Sequence, residues 1–134
     1  MIVSDTNLLI YLYISGQRTR EAEAVLQKDP AWAAPLLWRS EFRNTLVGLE
    51  RHKEIRMTEI FTILANVEQW MSGREYSVVS QQIIQLAKES GCSAYDCEFI
   101  SVAKDLGVPL VTADRQVLRA FPQIAITPGA FLQA

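Results

Sequence analysis

The sequence predicts an α/β protein in which helices cover both faces of a mainly parallel sheet. Short apolar segments alternate along the chain with longer segments whose apolar residues recur at helical spacing. Helices between successive strands are the crossover connections that parallel pairing requires. No repeat, low-complexity tract or Gly/Ser linker interrupts this order, so we expect residues 1–134 to form a single domain.

The first part of the chain is predicted to contain two strands and two helices. Residues 1–5 form a short apolar strand, and residues 7–14 form the helix that follows it. Residues 18–28 carry apolar side chains at helical spacing until a proline ends the helix. Residues 31–34 are then a second apolar strand.

The middle of the chain is predicted to contain a pair of long helices and a third strand. Residues 36–52 and 57–71 have helical periodicity, and Thr58 or a neighbour is expected to cap the second helix. Residues 76–79 form the strand.

The next two helices are predicted from their end signals. Ser80 is expected to cap a helix that runs over residues 80–90, with Gly91 in the left-handed conformation at its end. Ser93 begins the following helix, which ends at Gly107.

The last part of the chain returns to short elements. Residues 109–112 form a strand, residues 115–120 a helix and residues 124–126 a last strand. In sheets of this kind, ligands bind beyond the carboxyl ends of the strands. Candidate functional residues are therefore sought at those ends.

Composition excludes several classes of protein. Hydrophobic residues make up 49% and charged residues 21% of the chain, as in folded globular domains rather than disordered ones. No apolar run approaches the roughly 20 residues of a membrane span, and the N-terminus lacks the pattern of a signal peptide, so we expect a cytoplasmic protein. The net charge of −2 argues against polyanion binding through bulk charge, and any nucleic-acid contact must be local.

Cysteine and histidine offer little material for catalysis or zinc binding. The two cysteines, Cys92 and Cys97, suit a reduced setting, and Cys97 is expected to be a small buried residue. The single histidine, His52, lies between two basic residues and is expected at the surface.

Two predicted strands lead directly into an aspartate. Asp5 follows the first strand, and Asp114 follows strand 109–112. The chain has only five aspartates, so two at equivalent strand ends are a large share. Aspartate is also common in turns and at helix N-termini, so each can be a cap, a ligand or both.

Two further acids lie near predicted helix starts. Asp96 completes a capping-box motif with Ser93, and this motif by itself favours a structural role. Glu41 lies away from the polar sector of helix 36–52, among small and apolar residues. Burying a carboxylate on this apolar face of the helix costs free energy unless the carboxylate is paired or binds a cation. We interpret Glu41 as functional, and pairing with an arginine from elsewhere remains the alternative.

Four carboxylates at one end of a sheet would predict a metal site. They would repel one another and raise some of their pKa values, and a divalent cation would remove that repulsion. An all-oxygen carboxylate site suits Mg²⁺ or Mn²⁺. Such a metal can activate water for attack on phosphorus without a histidine base.

Taken in series, residues 3–10, 40–44, 93–100 and 110–114 resemble the PIN-domain family, in particular its small VapC-type toxins of toxin–antitoxin pairs. The resemblance spans essentially the whole chain in order and at family-like spacing. It implies a three-layer α/β/α PIN-like fold with a mainly parallel central sheet, and a ribonuclease that depends on Mg²⁺ or Mn²⁺.

The resemblance also implies roles for individual residues. The family's acidic metal ligands fall on Asp5, Glu41, Asp96 and Asp114. Polar residues expected to support these ligands fall on Thr6, Asn7, Asn44 and Thr112. Some relatives carry a further acid shortly after the last aspartate; this chain has Gln116 there, so a second metal is not implied. Glu98 lies two residues from Asp96 on a helix and is left out of the site.

The partners implied are RNA, a cognate antitoxin protein and a second copy of the chain. Arg39, Arg43 and Arg115 flank the site residues in sequence and are the tentative RNA contacts, although each also suits an ordinary solvated helix surface. Apolar residues of helices 36–52 and 57–71 offer a dimer interface or, equally well, core packing. These include Trp38, Phe61 and Trp70.

Three other readings are weighed against this one. A receiver-type phosphoacceptor domain needs an aspartate at a mid-chain strand end and a late lysine, and the chain has neither. A phosphatase of the Asp-x-Asp type needs an acid where Asn7 stands. A non-catalytic PIN-like module that binds RNA or protein is the main alternative, against which the presence of all four acids argues.

Overall fold

The computed structural model describes all 134 residues. It contains five strands and eight helices. In chain order they are β1 (Ile2–Ser4), α1 (Thr6–Tyr13), α2 (Thr19–Lys28), β2 (Trp32–Pro35), α3 (Trp38–Arg51), α4 (Met57–Met71), β3 (Glu75–Tyr76), α5 (Ser80–Ser90), α6 (Ala94–Leu106), β4 (Leu110–Val111), α7 (Arg115–Ala120), β5 (Ala125–Ile126) and α8 (Pro128–Gln133).

All five strands pair in parallel, in the order β3-β2-β1-β4-β5. The chain winds outward from β1 to β2 and β3, then crosses back to β4 and β5 on the other side of β1. Because such crossovers are almost always right-handed, this reversal places helices on both faces of the sheet. The predicted fold class is confirmed, and its switch point lies between β1 and β4.

Helix packing follows this division. On one side α6 lies against β1, β2 and β4, and α5 packs on α6. Elsewhere α1 contacts α2 and α3, and α2 also contacts α8. Twenty-eight buried apolar residues form one continuous core, with Trp32, Trp38 and Phe42 among its largest members. Burying side chains of this size contributes about 2–3 kcal/mol each.

The helix ends match their predictions in part. Helix α4 begins at Met57 as expected, and the neighbour of Thr58 that contributes to its cap is Glu59, whose carboxylate accepts the backbone N–H of Arg56 at 3.1 Å. Ser80 is the first helical residue of α5 and makes no capping hydrogen bond. Gly91 does close α5 in the left-handed conformation, at φ 75°.

The third strand and the C-terminus also differ. Strand β3 is shorter than predicted and begins earlier, at Glu75, because its only partner, β2, ends at Pro35. Helix α8 was not predicted from the sequence. Its start signal was present, since Thr127 accepts the backbone N–H of Ala130 and Pro128 occupies the first helical position.

Other expectations about the surface and core are met in part. His52 is exposed, and Cys92 and Cys97 are buried and unbridged. Trp38 is completely buried in the core, which excludes it from a dimer interface, whereas Phe61 is 63% exposed. None of the eight helices combines the length and hydrophobicity that crossing a bilayer requires.

Candidate active site

A cleft of about 320 Å³ opens at the carboxyl ends of β1 and β4, the switch point of the sheet. All four predicted acids line it, together with the four polar residues expected to support them. Its lining residues are Asp5, Thr6, Asn7, Glu41, Asn44, Thr45, Asp96, Phe99, Leu110, Thr112, Asp114 and Val117. The fold therefore gathers four sequence segments far apart in the chain into one acidic cleft.

Asp5 follows β1 directly and caps α1. Its Oδ1 accepts the backbone N–H of Leu8 at 2.8 Å, and its Oδ2 accepts the hydroxyl of Thr112 at 2.7 Å. Burial raises the pKa of Asp5 to about 6, the two hydrogen bonds oppose the rise, and the nearby charges of Glu41 and Asp114 add to it. Asp5 is thus both the predicted helix cap and a carboxylate of the cleft.

Glu41 lies in the first turn of α3 and is half-buried. Its Oε1 accepts the hydroxyl of Thr6 at 2.7 Å, so its partner in the protein is a threonine and not the arginine weighed as the alternative. Burial raises the pKa of Glu41, the bond from Thr6 opposes this, and the charge of Asp96 adds to it.

Asp96 lies in the first turn of α6, where the capping box predicted from the sequence is only half formed. Its backbone N–H donates to Ser93 Oγ at 3.0 Å, so Ser93 is the cap as expected. The Asp96 carboxylate does not return the bond to Ser93 and has no hydrogen-bond donor within the protein. It is therefore free to face the cleft.

Asp114 caps the short helix α7 with one of its two oxygens. Its Oδ1 accepts the backbone N–H groups of Gln116 and Val117, at 2.9 and 3.1 Å. Its own backbone N–H donates to Thr112 Oγ1 at 3.1 Å. The second oxygen, Oδ2, has no partner in the protein and remains available to a ligand.

The cleft lacks positive charge. None of the five ion pairs in the structure involves Asp5, Glu41, Asp96 or Asp114. The charges that act most strongly on Asp5 and Glu41 are other carboxylates. A donor set of carboxylate and hydroxyl oxygens fits Mg²⁺ or Mn²⁺. The side chains do not, however, form a ready-made cluster of three metal-ligating groups. Asp5 and Asp114 are also engaged as helix caps.

Four lining residues were missed by the sequence analysis: Leu110 and Val117, which are apolar, and Thr45 and Phe99, which lie on helices that carry a predicted acid. Thr45 lies four residues after Glu41 on the same face of α3, and its hydroxyl donates to the Glu41 carbonyl at 3.1 Å. Phe99 lies three residues after Asp96 on α6 and closes the buried side of the cleft. Helical spacing from the two acids would have found both.

Glu98 is nearer to the site than its spacing from Asp96 suggested. It does not line the cleft, but burial and the charge of Glu41 both raise its pKa.

The three arginines proposed as RNA contacts differ in their surroundings. None lines the cleft. Arg39 forms a bidentate pair with Glu75, at 2.5 and 2.9 Å, and Arg43 lies 4.0 Å from Glu68. Arg115 is exposed and forms no ion pair. Of the three, Arg115 alone is unengaged.

Comparison with known proteins places the chain among relatives of similar length. A model of the PIN domain matches residues 2–124. Over 130 residues the chain is 25% identical to a protein of Pyrobaculum aerophilum named Ribonuclease VapC3. The aligned region covers 95% of this chain and 98% of the relative.

Solved structures share the fold. The crystal structure of PAE2754 from Pyrobaculum aerophilum has a TM-score of 0.77 at 21% identity, over 98% of this chain and 86% of that one. A toxin–antitoxin complex from Klebsiella pneumoniae has a TM-score of 0.61 at 25% identity, over 96% and 98% of the two chains. FitAcB from Neisseria gonorrhoeae has a TM-score of 0.71 at 20% identity, over 96% and 99%. Because the PIN-domain model matches residues 2–124 of the 134, this chain belongs to the PIN-domain family.

Proposed function

We propose that this chain is a Mg²⁺- or Mn²⁺-dependent endoribonuclease and the toxin of a toxin–antitoxin pair. The observation that carries the proposal is the convergence of four carboxylates on one cleft that contains no basic side chain. The sequence relative named as a ribonuclease supports RNA as the substrate.

The acids and the threonines of the cleft have separate roles in the proposed chemistry. Asp5, Glu41, Asp96 and Asp114 would hold the cation, which supplies positive charge against the phosphate and lowers the pKa of water. Thr112 and Thr6 hold the Asp5 and Glu41 carboxylates in place by donating hydroxyl hydrogen bonds to them. Asp96 has no protein partner to release before it binds a ligand.

Asp5 would be ionised when it holds the cation. In the metal-free protein burial raises the pKa of Asp5 to about 6, and a bound cation would favour the ionised carboxylate. Asn7 and Asn44 lie on the exposed part of the cleft lining, where their amides can hydrogen-bond to a phosphate or sugar.

RNA cleavage by the purified protein tests the proposal. Labelled single-stranded and structured RNAs are incubated with Mn²⁺, Mg²⁺ or EDTA, using wild type and Asp96→Asn. Asp105→Asn is the matched control, because Asp105 is an exposed aspartate on the same helix, α6, and does not line the cleft. We expect cleavage that needs the metal and is lost only in Asp96→Asn. Neither cleavage nor thermal stabilisation by Mn²⁺ would favour the non-catalytic binding module instead.

The toxin role rests on likeness to a toxin–antitoxin complex and needs its own experiment. Expression of the wild-type chain in a bacterial host should arrest growth, and Asp96→Asn should not. Normal growth at matched protein levels would contradict the toxin role. It would leave the proposed nuclease activity uncontradicted.

A cognate antitoxin protein and a homodimer complete the proposal. The exposed Phe61 on α4 is a candidate contact for either partner. Light scattering of the purified chain tests the dimer, and Phe61→Ser should shift a dimer towards monomer if this residue contributes.

A further inference from the structure

Gln116 links the start of α7 to the loop between α5 and α6. It lies in the first turn of α7, and its backbone N–H donates to Asp114 Oδ1 at 2.9 Å. Its side-chain Nε2 donates to the carbonyl of Gly91 at 3.1 Å. The Cys92 thiol is the donor of a weak bond to the Gln116 carbonyl oxygen, with Sγ 4.0 Å from it.

The segment that Gln116 contacts determines where α6 begins. Gly91 closes α5 with a left-handed conformation, and Ser93 caps α6 by accepting the backbone N–H of Asp96. Because the Asp96 carboxylate has no hydrogen bond of its own, its place in the cleft depends on the start of α6. The loop from Gly91 to Ser93 therefore sets the position of Asp96.

No hydrogen bond other than those of Gln116 joins this loop to α7. Asp114 caps α7, and Asp96 lies in the first turn of α6, which begins directly after this loop. We propose that Gln116 is a positioning residue that fixes the spacing between these two carboxylates, an inference that rests on the proposed metal-dependent function.

The chemistry of the side chain explains why an amide suits this role. A carboxylate at position 116 would have no hydrogen to donate to the Gly91 carbonyl and would be repelled by its oxygen. Gln116 itself does not line the cleft, so it acts through Asp96 and Asp114 and not as a ligand.

The experiment compares Gln116→Leu and Gln116→Met, which both remove the amide donor, with a control, Gln81→Met. Gln81 is an exposed glutamine of α5 whose side chain makes no hydrogen bond. The affinity for Mn²⁺ is measured by calorimetry, kcat and KM by RNA cleavage, and amide hydrogen exchange over residues 92–96. Thermal denaturation verifies that each variant is folded at the assay temperature.

We expect both Gln116 variants to bind Mn²⁺ at least tenfold more weakly, as residues that support metal ligands typically do. Their kcat should fall while KM for RNA stays within about twofold, because the RNA-binding surface is unchanged. Amide exchange at residues 92–96 should become faster. Gln81→Met should resemble wild type in all three measurements.

Two outcomes separate this inference from the proposed function. If wild type binds Mn²⁺ and both Gln116 variants match its affinity and kcat, Gln116 does not position the ligands. If wild type binds no Mn²⁺, the proposed function fails, and amide exchange still decides whether Gln116 holds the loop. Unchanged exchange at residues 92–96 overturns the inference in either case.

Discussion

The hydroxyl of Thr112 donates to Oδ2 of Asp5 at 2.7 Å, although 107 residues separate the two in sequence. The same oxygen of Thr112 accepts the backbone N–H of Asp114 at 3.1 Å. One buried hydroxyl, on the residue that directly follows β4, therefore fixes two of the four acids relative to each other. Thr6 donates to Glu41 in the same way, and both of these residues also line the cleft.

Removing this hydroxyl should weaken metal binding. Thr112→Val keeps the shape of the side chain and leaves Asp5 Oδ2 and the Asp114 N–H without their partner. We expect the affinity for Mn²⁺ to fall by about 10- to 100-fold. The free energy of unfolding should fall by about 1–3 kcal/mol, because two polar groups lose hydrogen bonds. Calorimetry and urea denaturation measure the two effects.

Thr112→Ser retains the hydroxyl and should recover most of the affinity for Mn²⁺. Thr58→Val is the control for a threonine-to-valine change at an exposed position on α4. Equal Mn²⁺ affinities for wild type and Thr112→Val would show that this hydroxyl does not organise the ligands.

Asp5→Asn should stabilise the metal-free protein at neutral pH. Burial raises the pKa of Asp5 from its ordinary 3.8 to about 6, so the folded state holds the proton more tightly than the unfolded state does. The ionised carboxylate therefore opposes folding increasingly as the pH rises from about 4 to 6. The neutral amide avoids a cost on the order of 3 kcal/mol at pH 7.5.

Urea denaturation in EDTA at pH 7.5 and pH 4.5 measures this change. The gain in free energy of unfolding should be larger at pH 7.5, and Asp105→Asn should show no comparable gain. A loss of stability in Asp5→Asn at pH 7.5 would mean that the bonds from Leu8 and Thr112 outweigh the burial of the charge.

The sequence predicts the acids of the cleft better than it predicts their contacts. Asp5 and Asp114 are recognisable because Asp5 directly follows β1 and Asp114 comes three residues after the end of β4, and parallel strands bring their carboxyl ends together. Glu41 is recognisable from the helical wheel. Asp96 depends on the resemblance to the PIN-domain family, since its capping motif is equally typical of a structural residue.

Contacts between distant segments could not be read from the sequence. The bonds from Thr6 to Glu41 and from Gln116 to Gly91 depend on how α3 and α7 are placed, which no local pattern encodes. Strand β3 was misplaced for a similar reason, because its length is set by where its partner β2 ends. The predicted capping box at Ser93 was half wrong because the Asp96 carboxylate faces the cleft.

Metal binding should release protons near pH 6. Asp5, with its pKa raised to about 6, is about half protonated there in the free protein and must be ionised to hold a cation. We expect the affinity for Mn²⁺ to fall as the pH drops from about 7.5 to 5.5, with roughly half a proton released at pH 6 from this group. Calorimetry in two buffers of different ionisation enthalpy measures the release. Binding that is independent of pH over this range would contradict a role for Asp5 as a ligand.

Arg115 and Arg39 should respond differently to removal of their charge. Arg115 is exposed and forms no ion pair, and it lies beside Asp114. Arg115→Ala should therefore weaken RNA binding. The slope of the logarithm of the affinity against the logarithm of the salt concentration should become shallower by about 1, the amount expected for one lost phosphate contact. Arg39 is held by Glu75, so Arg39→Ala should lower the free energy of unfolding by about 1 kcal/mol and leave RNA affinity within about twofold. Fluorescence anisotropy at several salt concentrations, in an Asp96→Asn background that prevents cleavage, measures RNA binding. If Arg39→Ala weakens RNA binding more than Arg115→Ala does, the RNA passes along α3 and not across the start of α7.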